Sequence, residues 1–450
     1  MQKERDSFSS KFGVIAAAAG SAVGLGNIWK FPYIAGENGG GVFLVIYLLF
    51  IVAIGVPVMM SEFIIGRKVQ QNVFGAFRVL SKSKFWQIIG VMGVLVAFLI
   101  LAFYGTVAGW TIEYLFLAIK NSFEGKDAVE ISNMFTDFST SGYKPVIFHV
   151  IFMFLTSVIV IRGIKKGIEK YTKILMPLLV VIILYLDVTA LSLKGGIAGL
   201  HFLFYPDFSK LTPKLFIDAL GHAFFTLSLG MGVLMTYASY FKKETNLTKT
   251  SISVAVTDTV IALLAGIAIF PVVFAFNTEP TAGPGLVFIT LPNIFEQITG
   301  GYIFSIMFFL LLGVAAITSA ISILEVVVTY LVEEKRMSRF KATLIASVSA
   351  TFVGVLSTLS IGPLSDFLIF GKNIFYLLDF IASNILLPLG GMLISIFVGW
   401  KIEKHIITDE LSNYGTVRII SIKLFMFLVR YVAPVAISLV FLNGIGVLNF

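Results

Sequence analysis

Long apolar stretches separated by short polar connections run along almost the whole chain. Eleven of them are long enough to cross a bilayer as helices, which takes about 20 residues each. Their approximate limits are 11–36, 41–68, 87–121, 145–162, 168–192, 214–241, 251–277, 298–332, 341–358, 373–400 and 420–446. The pattern predicts an all-α polytopic membrane protein with eleven membrane-spanning helices, called the first to the eleventh span below.

Glycine and small polar residues interrupt two of these spans at mid-depth. Residues 20–27 of the first span read GSAVGLGN, and residues 224–232 of the sixth read FFTLSLGMG. Glycine weakens a helix by about 1 kcal/mol relative to alanine, and hydrocarbon offers no partner for freed backbone groups. Breaks at matching positions of two five-helix halves are typical of inverted-repeat transporters. Close helix packing at the glycines is the alternative, but it does not require Asn27, Thr226 and Ser228 beside them.

The matching breaks suggest how the chain is divided. We expect four parts: a cytoplasmic segment at 1–10, a first five-helix repeat at 11–200, a second, inverted repeat at 201–400, and a cytoplasmic loop with the eleventh helix at 401–450.

Composition excludes most other classes of protein. Of 450 residues, 58% are hydrophobic and 13% are charged, with a mean hydropathy of +0.96, a balance that soluble domains do not have. The chain has no cysteine and four histidines, which excludes disulfides and leaves little for a metal site. The net charge of +8 comes from lysines and arginines concentrated in alternate short connections. This predicts a cytoplasmic N-terminus rather than nucleic-acid binding.

No catalytic motif stands out in the sequence. The GLG at 24–26 lacks the third glycine and the strand of a dinucleotide fingerprint, and there is no nucleophile elbow, Walker loop or zinc-binding helix. We therefore expect a protein that is not an enzyme.

Several motifs closely resemble the neurotransmitter:sodium symporter family, in particular its bacterial amino-acid branch with the LeuT fold. They are GSAVGLGNIWKFPY (20–33), ENGGG (37–41), RGIKKGIEKY (162–171), FFTLSLGMG (224–232), TYASY (236–240), FITLPNIF (288–295), AAITSA (315–320) and NILLPLGG (384–391). The resemblance implies a LeuT fold, a 5+5 inverted repeat with broken first and sixth helices. Many members have a twelfth span, and its absence among the predicted spans leaves a homodimer open.

The resemblance also implies two sodium sites built from hard oxygen ligands. The first would use the Ala22 carbonyl and the side chains of Asn27, Thr226 and Asp258, together with the substrate carboxylate. The second would use the carbonyls of Gly20, Val23 and Ala315 with the hydroxyls of Thr318 and Ser319.

Asp258 departs from part of the family, where an asparagine stands at this place and an acid lies one turn later. That later position is Ala262 in this chain. An acid at membrane depth indicates function by default. If it is ionised, it supplies the negative charge that chloride provides in the animal relatives, so chloride is not expected to be required. A protonated, structural carboxyl is the alternative.

The substrate is expected to lie between the two broken spans. Its carboxylate would meet the amides of Leu25 and Gly26 and the hydroxyl of Tyr104, and its ammonium the carbonyls near Phe225. The full set of expected substrate-binding residues is Ala22, Leu25, Gly26, Tyr104, Phe225, Thr226, Ser228, Met231, Ser319, Ser322 and Ile323.

Two charge pairs are expected to gate this site. Lys30 and Asp379 would close it from outside, and Arg5 with Glu333 from the cytoplasm, where Phe8 would act as an apolar plug. Lysine lacks the planar fork that an arginine offers a carboxylate, so the outer gate is expected to be looser than in relatives with arginine.

Together these residues predict a sodium-coupled importer of neutral, bulky hydrophobic or aromatic L-amino acids. It would work by alternating access in a bacterial inner membrane, with the lipid bilayer and the amino acid as its partners. Two other readings stay open: a non-transporting amino-acid sensor, which needs no inner exit, and a proton-coupled carrier, favoured if His222 or Asp258 titrates.

Overall fold

Helices make up nearly all the regular structure of the chain. The structure is a computed structural model that describes residues 6–276, 283–418 and 421–448. Within these ranges, strand pairing is limited to one isolated bridge, between Ile369 and Lys372. Nine helices of the described residues are long and apolar enough to cross a membrane. They are Gly41–Val69, Lys84–Ile119, Tyr143–Val160, Ile164–Leu191, Leu247–Ala275, Gly301–Glu334, Arg339–Leu359, Ile374–Lys401 and Ile422–Gly444.

The first predicted span is a bent pair of helices. Its N-terminal half, Lys11–Ala22, and its C-terminal half, Gly26–Glu37, differ in direction by 49° and together make a tenth candidate span. They are called the inner and outer halves below, after the orientation predicted from the sequence. The Ser10 hydroxyl caps the inner half by accepting the Gly13 N–H at 3.0 Å, as expected for a serine at this position.

The sixth predicted span is divided as well. It consists of the helices Pro213–Thr226 and Val233–Ala238, with residues 227–232 outside both. Ser228, Gly230 and Gly232 in this gap have φ values of 55°, 78° and 73°. Side chains disfavour this left-handed region whereas glycine does not. The two breaks predicted from the sequence are therefore present, and with the sixth span counted as one divided element, the eleven predicted spans are accounted for.

Shorter helices lie in the connections between the spans. They are Val73–Leu80, Ala128–Thr140, Gly196–Phe204, Thr290–Phe295 and Lys404–Leu411.

Unbroken helices enclose the broken ones. The third and eighth spans pack against each other extensively, and the inner half of the first span contacts the fifth, seventh and eighth spans. Every residue from Ser21 to Ile28 and from Thr226 to Gly232 is buried. The freed backbone groups of both breaks are thus shielded from lipid, as a break at membrane depth requires.

Two buried ion pairs lie away from the breaks, as is common for intramembrane charges. Glu325 of the eighth span accepts from Arg339 at 2.6 Å, and Arg67 of the second span pairs with Glu410 at 2.7 Å. Glu62, Asp187 and Asp258 are also buried, and none of these three acids has an ion pair with a described residue.

Candidate functional site

The two helix breaks contact each other in the interior of the protein. The hydroxyl of Ser228 donates to the Ser21 carbonyl at 2.9 Å. The carboxylate of Glu62, on the second span, accepts the N–H of Gly230 at 2.8 Å. Because backbone groups buried away from water need partners, these contacts stabilise an irregular backbone that lipid could not.

A first group of oxygen atoms joins the first, sixth and seventh spans. The Asn27 amide donates to Oδ1 of Asp258 at 2.8 Å and to its backbone carbonyl at 3.0 Å. The Thr226 hydroxyl lies 3.2 Å from Oδ1 of Asp258. All three side chains are at most 1% exposed, and Asp258 has no ion pair with any described residue. Since a buried charge must be paired or bind a cation, this group suits a small cation.

A second group of oxygens lies where the first and eighth spans meet. The Thr318 hydroxyl is 2.9 Å from the Ala315 carbonyl and 3.4 Å from the Val23 carbonyl. The Ser319 hydroxyl is 3.2 Å from the Val23 carbonyl. Gly20, the remaining residue expected here, is buried in the last turn of the inner half-helix. Two hydroxyls thus converge on the carbonyl-rich end of a helix, where the backbone carries partial negative charge.

A small cavity of about 30 Å³ touches both groups of oxygens. Its walls are Ser21, Ala22, Gly24, Leu25, Gly26, Ile100, Tyr104, Phe225, Thr226, Ser228, Met231, Ser319 and Ile323. Pockets for small ligands usually measure about 300–1,000 Å³. The cavity in this conformation is therefore smaller than an amino acid needs, and its walls must part to admit one.

One end of the cavity is suited to an anionic group. The Tyr104 oxygen accepts the Leu25 N–H at 3.4 Å, and its hydroxyl lies next to that of Ser319. Gly26 begins the outer half-helix, whose N-terminus carries partial positive charge. Ile100, Met231 and Ile323 add apolar surface to the wall. The arrangement can therefore hold a carboxylate at one end and an apolar side chain at the other.

Comparisons with known proteins identify relatives of the chain. The model of the sodium:neurotransmitter symporter family matches residues 5–133 and 120–449. An uncharacterized sodium-dependent transporter of Bacillus subtilis, YhdH, is 39% identical over 443 residues, 98% of each chain. One from Haemophilus influenzae is 38% identical over 457 residues, 98% of this chain and 99% of the other. The crystal structure of MhsT in complex with L-phenylalanine matches with a TM-score of 0.89 and 46% identity, over 98% of this chain and 100% of that one.

The chain belongs to the sodium:neurotransmitter symporter family. The resemblance seen in the motifs is thereby confirmed, as is the LeuT fold. The family consists of sodium-dependent transporters and not of enzymes.

Ser322 lies apart from the other residues expected to bind substrate in this symporter. Its hydroxyl accepts from the Tyr237 hydroxyl at 2.7 Å and donates to the Thr318 carbonyl at 3.1 Å, and it is not on the cavity wall. In this conformation Ser322 does not line the cavity, and its role in substrate binding stays a prediction. Ser322 lies about one helical turn beyond Ser319, where its hydroxyl meets Tyr237 of the helix Val233–Ala238.

The outer pair of the symporter does not form the expected ion pair. The Lys30 ammonium lies 4.3 Å from the centre of the Phe225 ring, and Asp379 accepts from the Ser383 hydroxyl at 2.7 Å. Among the described residues, no salt bridge joins Lys30 and Asp379. The ammonium of Lys30 lies over the face of the Phe225 ring instead, which is a favourable cation–π contact.

Phe8 is the residue expected to act as the apolar plug. Its ring is buried, 5.9 Å from the ring of Tyr237 and nearly perpendicular to it, and its role as a plug stays a prediction. Glu333 accepts the backbone N–H of Asn72 at 2.7 Å. Arg5, its expected partner, lies outside the described residues, so this pair is still a prediction.

A buried carboxylate that the sequence reasoning missed holds the start of the first span. Glu169, on the fifth span, accepts from the N–H and hydroxyl of Ser9 at 2.8 and 2.5 Å, and from Lys173 at 2.6 Å. A Cβ at Gly13 would lie 2.1 Å from Oε1 of Glu169, so the carboxylate lies directly against the backbone of the first span. The signal was present in the sequence, since Glu169 is the acid of the RGIKKGIEKY motif.

Two other neighbours of the site were also missed. Ile100 lines the cavity one helical turn before Tyr104, and a spacing of four residues on one helix face could have indicated it. Tyr47 is fully buried, and its hydroxyl lies beside Asp258 and Thr226. Tyr47 lies on the second span, far from both motifs in sequence, so only the fold reveals this contact.

Proposed function

We propose that this symporter imports neutral L-amino acids, preferring bulky hydrophobic and aromatic ones, by alternating access coupled to two sodium ions. One observation carries the proposal. Two broken helices meet at a cavity, and a separate group of buried oxygen atoms adjoins the cavity on each of two sides.

The first ion would bind where a negative charge is buried. Its ligands would be the Ala22 carbonyl, the side chains of Asn27, Thr226 and Asp258, and the carboxylate of the substrate. The distance of 3.2 Å from Oδ1 of Asp258 to the Thr226 hydroxyl supports a shared ion. Because Asp258 can supply the charge itself, chloride would not be required.

The second ion would bind among neutral oxygens. Its ligands would be the carbonyls of Gly20, Val23 and Ala315 and the hydroxyls of Thr318 and Ser319. The hydroxyls now donate to the carbonyls at 2.9–3.4 Å. If the two O–H groups rotated away, the hydroxyl and carbonyl oxygens would all present lone pairs to a cation between them. No other movement of the side chains would be required.

The lining of the cavity favours a neutral substrate. The carboxylate would meet Leu25, Gly26 and Tyr104, and the ammonium the carbonyls near Thr226 and Ser228. No lysine, arginine, aspartate or glutamate is among the described residues of the cavity wall, so a charged side chain would have no partner. The wall next to the side chain contains Ile100, Phe225, Met231 and Ile323. MhsT, which is 46% identical, was crystallised in complex with L-phenylalanine, and this supports a bulky substrate.

Coupling to sodium would supply the driving force for uptake. A membrane potential of 100 mV is worth about 2.3 kcal/mol per elementary charge moved inward. Two sodium ions with one zwitterion carry two net charges. Substrate and ions would bind together, since the carboxylate completes the first ion's shell. We also propose that the protein lies in a bacterial plasma membrane with a cytoplasmic N-terminus. Its inverted repeats would be residues 11–200 and 201–400.

Equilibrium binding to the purified protein tests this proposal. Labelled L-phenylalanine is bound in sodium chloride, in sodium gluconate and in choline chloride, and is competed with a panel of amino acids. We expect no binding in choline, equal binding in both sodium salts, and better displacement by Trp, Tyr, Leu and Met than by Gly, Ala, Glu or Lys. Better displacement by glycine or alanine than by any aromatic amino acid would refute the substrate class.

A further inference from the structure

The fourth span carries a buried histidine outside the site described above. His149 is fully buried, and neither ring nitrogen makes a hydrogen bond of ordinary geometry with the described residues. The backbone of Gly105, on the third span, is the polar group that faces the ring. A buried imidazole with such poor hydrogen bonding destabilises a protein compared with an apolar side chain, so its presence calls for a role.

Three glycines surround this histidine at a crossing of the third, fourth and ninth spans. A Cβ at Gly105 would lie 2.5 Å from Cε1 of His149, and a Cβ at Gly354 would lie 2.3 Å from the same atom. A Cβ at Gly109 would lie 2.8 Å from the backbone nitrogen of His149. The three helices therefore approach one another more closely than any larger residue would allow, and the imidazole fills the space that remains.

The crossing lies directly against the tyrosine of the candidate site. Gly105 follows Tyr104 in the chain, and the ring of Phe152, one turn after His149, lies 6.4 Å from the Tyr104 ring. The hydroxyls of Thr106 and Thr358 are 2.9 Å apart, which fixes the third span to the ninth on the other side of Gly105. A displacement of the third span at Gly105 would consequently move the Tyr104 hydroxyl relative to Leu25.

We propose that His149 is a positioning residue for substrate binding: its imidazole, held among Gly105, Gly109 and Gly354, sets where the Tyr104 hydroxyl stands. This inference rests on the proposed function, in which that hydroxyl binds the substrate carboxylate. It also accounts for the poor hydrogen bonding of the ring, because residues that lower stability without a local gain are expected at functional positions. The shape of the ring, and not its charge, does the positioning.

A double-mutant cycle tests the connection between the two residues. The dissociation constant of labelled L-phenylalanine is measured at saturating sodium for His149→Ala, Tyr104→Phe and the double variant. Each single change is expected to weaken binding by about tenfold, the effect of one lost hydrogen bond to a charged group. The double variant is expected to be no weaker than Tyr104→Phe alone, because residues that act through one contact are not additive. Additive losses would overturn the proposal.

Matched variants separate positioning from a general loss of packing. Ile159→Ala removes a buried side chain from the same helix, ten residues further along, and should leave the dissociation constant within about twofold. His149→Gln keeps much of the side-chain volume and should restore binding to within about threefold of the native value. If His149→Ala does not fold, His149→Gln and Gly354→Ala decide together. Native-like binding by His149→Gln and a loss of affinity in Gly354→Ala would support the proposal. Unchanged affinity in Gly354→Ala would refute it.

A second readout distinguishes this role from damage to the ion sites. Sodium alone, without substrate, should raise the melting temperature of His149→Ala as much as that of the native protein, because ligand binding stabilises the folded state only through intact sites. A lost sodium response would show that the helix bundle, and not Tyr104, is affected, and would refute the proposal. If the native protein bound no amino acid at all, the proposed function would fail instead, so the two failures are distinguishable.

Discussion

At the scale of single residues, the charge of Asp258 decides most of the ion chemistry. Its carboxylate is fully buried, lies 2.8 Å from Asn27 and 3.2 Å from Thr226, and has no cationic partner among the described residues. A buried acid in this setting either binds a cation or is neutral, because an isolated charge is strongly disfavoured there. Replacing the charge while keeping the shape separates the two cases.

We expect Asp258→Asn to raise the sodium concentration for half-maximal substrate binding by about tenfold or more, corresponding to about 1.4 kcal/mol. Added chloride should recover part of the loss, because it returns a negative charge to the site. Sodium titrations in chloride and in gluconate measure this. Asp187→Asn is the matched control, since Asp187 is a buried carboxyl on the fifth span. A chloride requirement in the native protein at constant sodium would contradict the account.

The hydroxyls of Thr318 and Ser319 belong to the same scale. Replacing both by alanine should abolish sodium-driven uptake while the protein still folds, because no apolar atom can replace a ligand oxygen. Ser322→Ala is the control: it removes a buried hydroxyl from the same helix, directed at Tyr237, and should retain uptake. Uptake by the double variant with unchanged sodium dependence would refute the second sodium site.

Individual residues differed in how well the sequence predicted them. The oxygens of the two groups lie on different spans, and their convergence was implied by the resemblance to the symporter family rather than by spacing along the chain. Lys30 and Asp379 come from the first and tenth spans, and whether they pair depends on the relative positions of those spans. The sequence does not contain that information, and the ammonium lies over Phe225 instead.

At the scale of elements, the break in the first span depends on the lack of a side chain at Gly24. A Cβ there would lie 2.3 Å from the Ser319 hydroxyl and 3.2 Å from the Tyr104 hydroxyl. These two oxygens belong to the second ion group and to the carboxylate end of the cavity. The break therefore links the ion site to the substrate site by direct contact.

Gly24→Ala is expected to weaken both sodium and substrate binding by about tenfold or more, since one methyl group displaces an oxygen from each site. Gly313→Ala is the control: it lies in the eighth-span helix, and no atom is within 4 Å of the added methyl. That variant should keep native affinity and be as stable or more so, because alanine favours a helix by about 1 kcal/mol over glycine. Native affinity in Gly24→Ala, measured by the same binding assay, would contradict this linkage.

Glu169 acts at the scale of elements too, by attaching the start of the first span to the fifth. Glu169→Gln should loosen the inner closure, because its amide group would meet the N–H and O–H donors of Ser9 with a donor of its own. The chain has no cysteine, so Thr172→Cys, at a buried position one turn on, can report opening through its rate of alkylation. We expect a rate several-fold higher than with native Glu169. Glu113→Gln as control should leave the rate unchanged, and an unchanged rate in Glu169→Gln would exclude the attachment.

At the scale of the whole molecule, much of the architecture could be predicted from the sequence. The number of spans follows from hydropathy, and the two breaks follow from glycine and polar residues where lipid tolerates neither. The contacts of Tyr47 and Glu169 with the first, sixth and seventh spans could not be predicted, because they join distant parts of the chain. The same holds for His149, whose glycine partners lie on two other spans.

Import against a gradient is the central claim of the account, and uptake into proteoliposomes tests it most directly. Labelled L-phenylalanine is supplied outside, with sodium outside and potassium inside, and valinomycin sets an inside-negative potential. We predict accumulation above the outside concentration, lost when choline replaces sodium and increased by the potential. Sodium-dependent binding without accumulation would indicate a sensor, and accumulation driven by a proton gradient in choline would indicate a proton-coupled carrier. Either result would contradict sodium-coupled import.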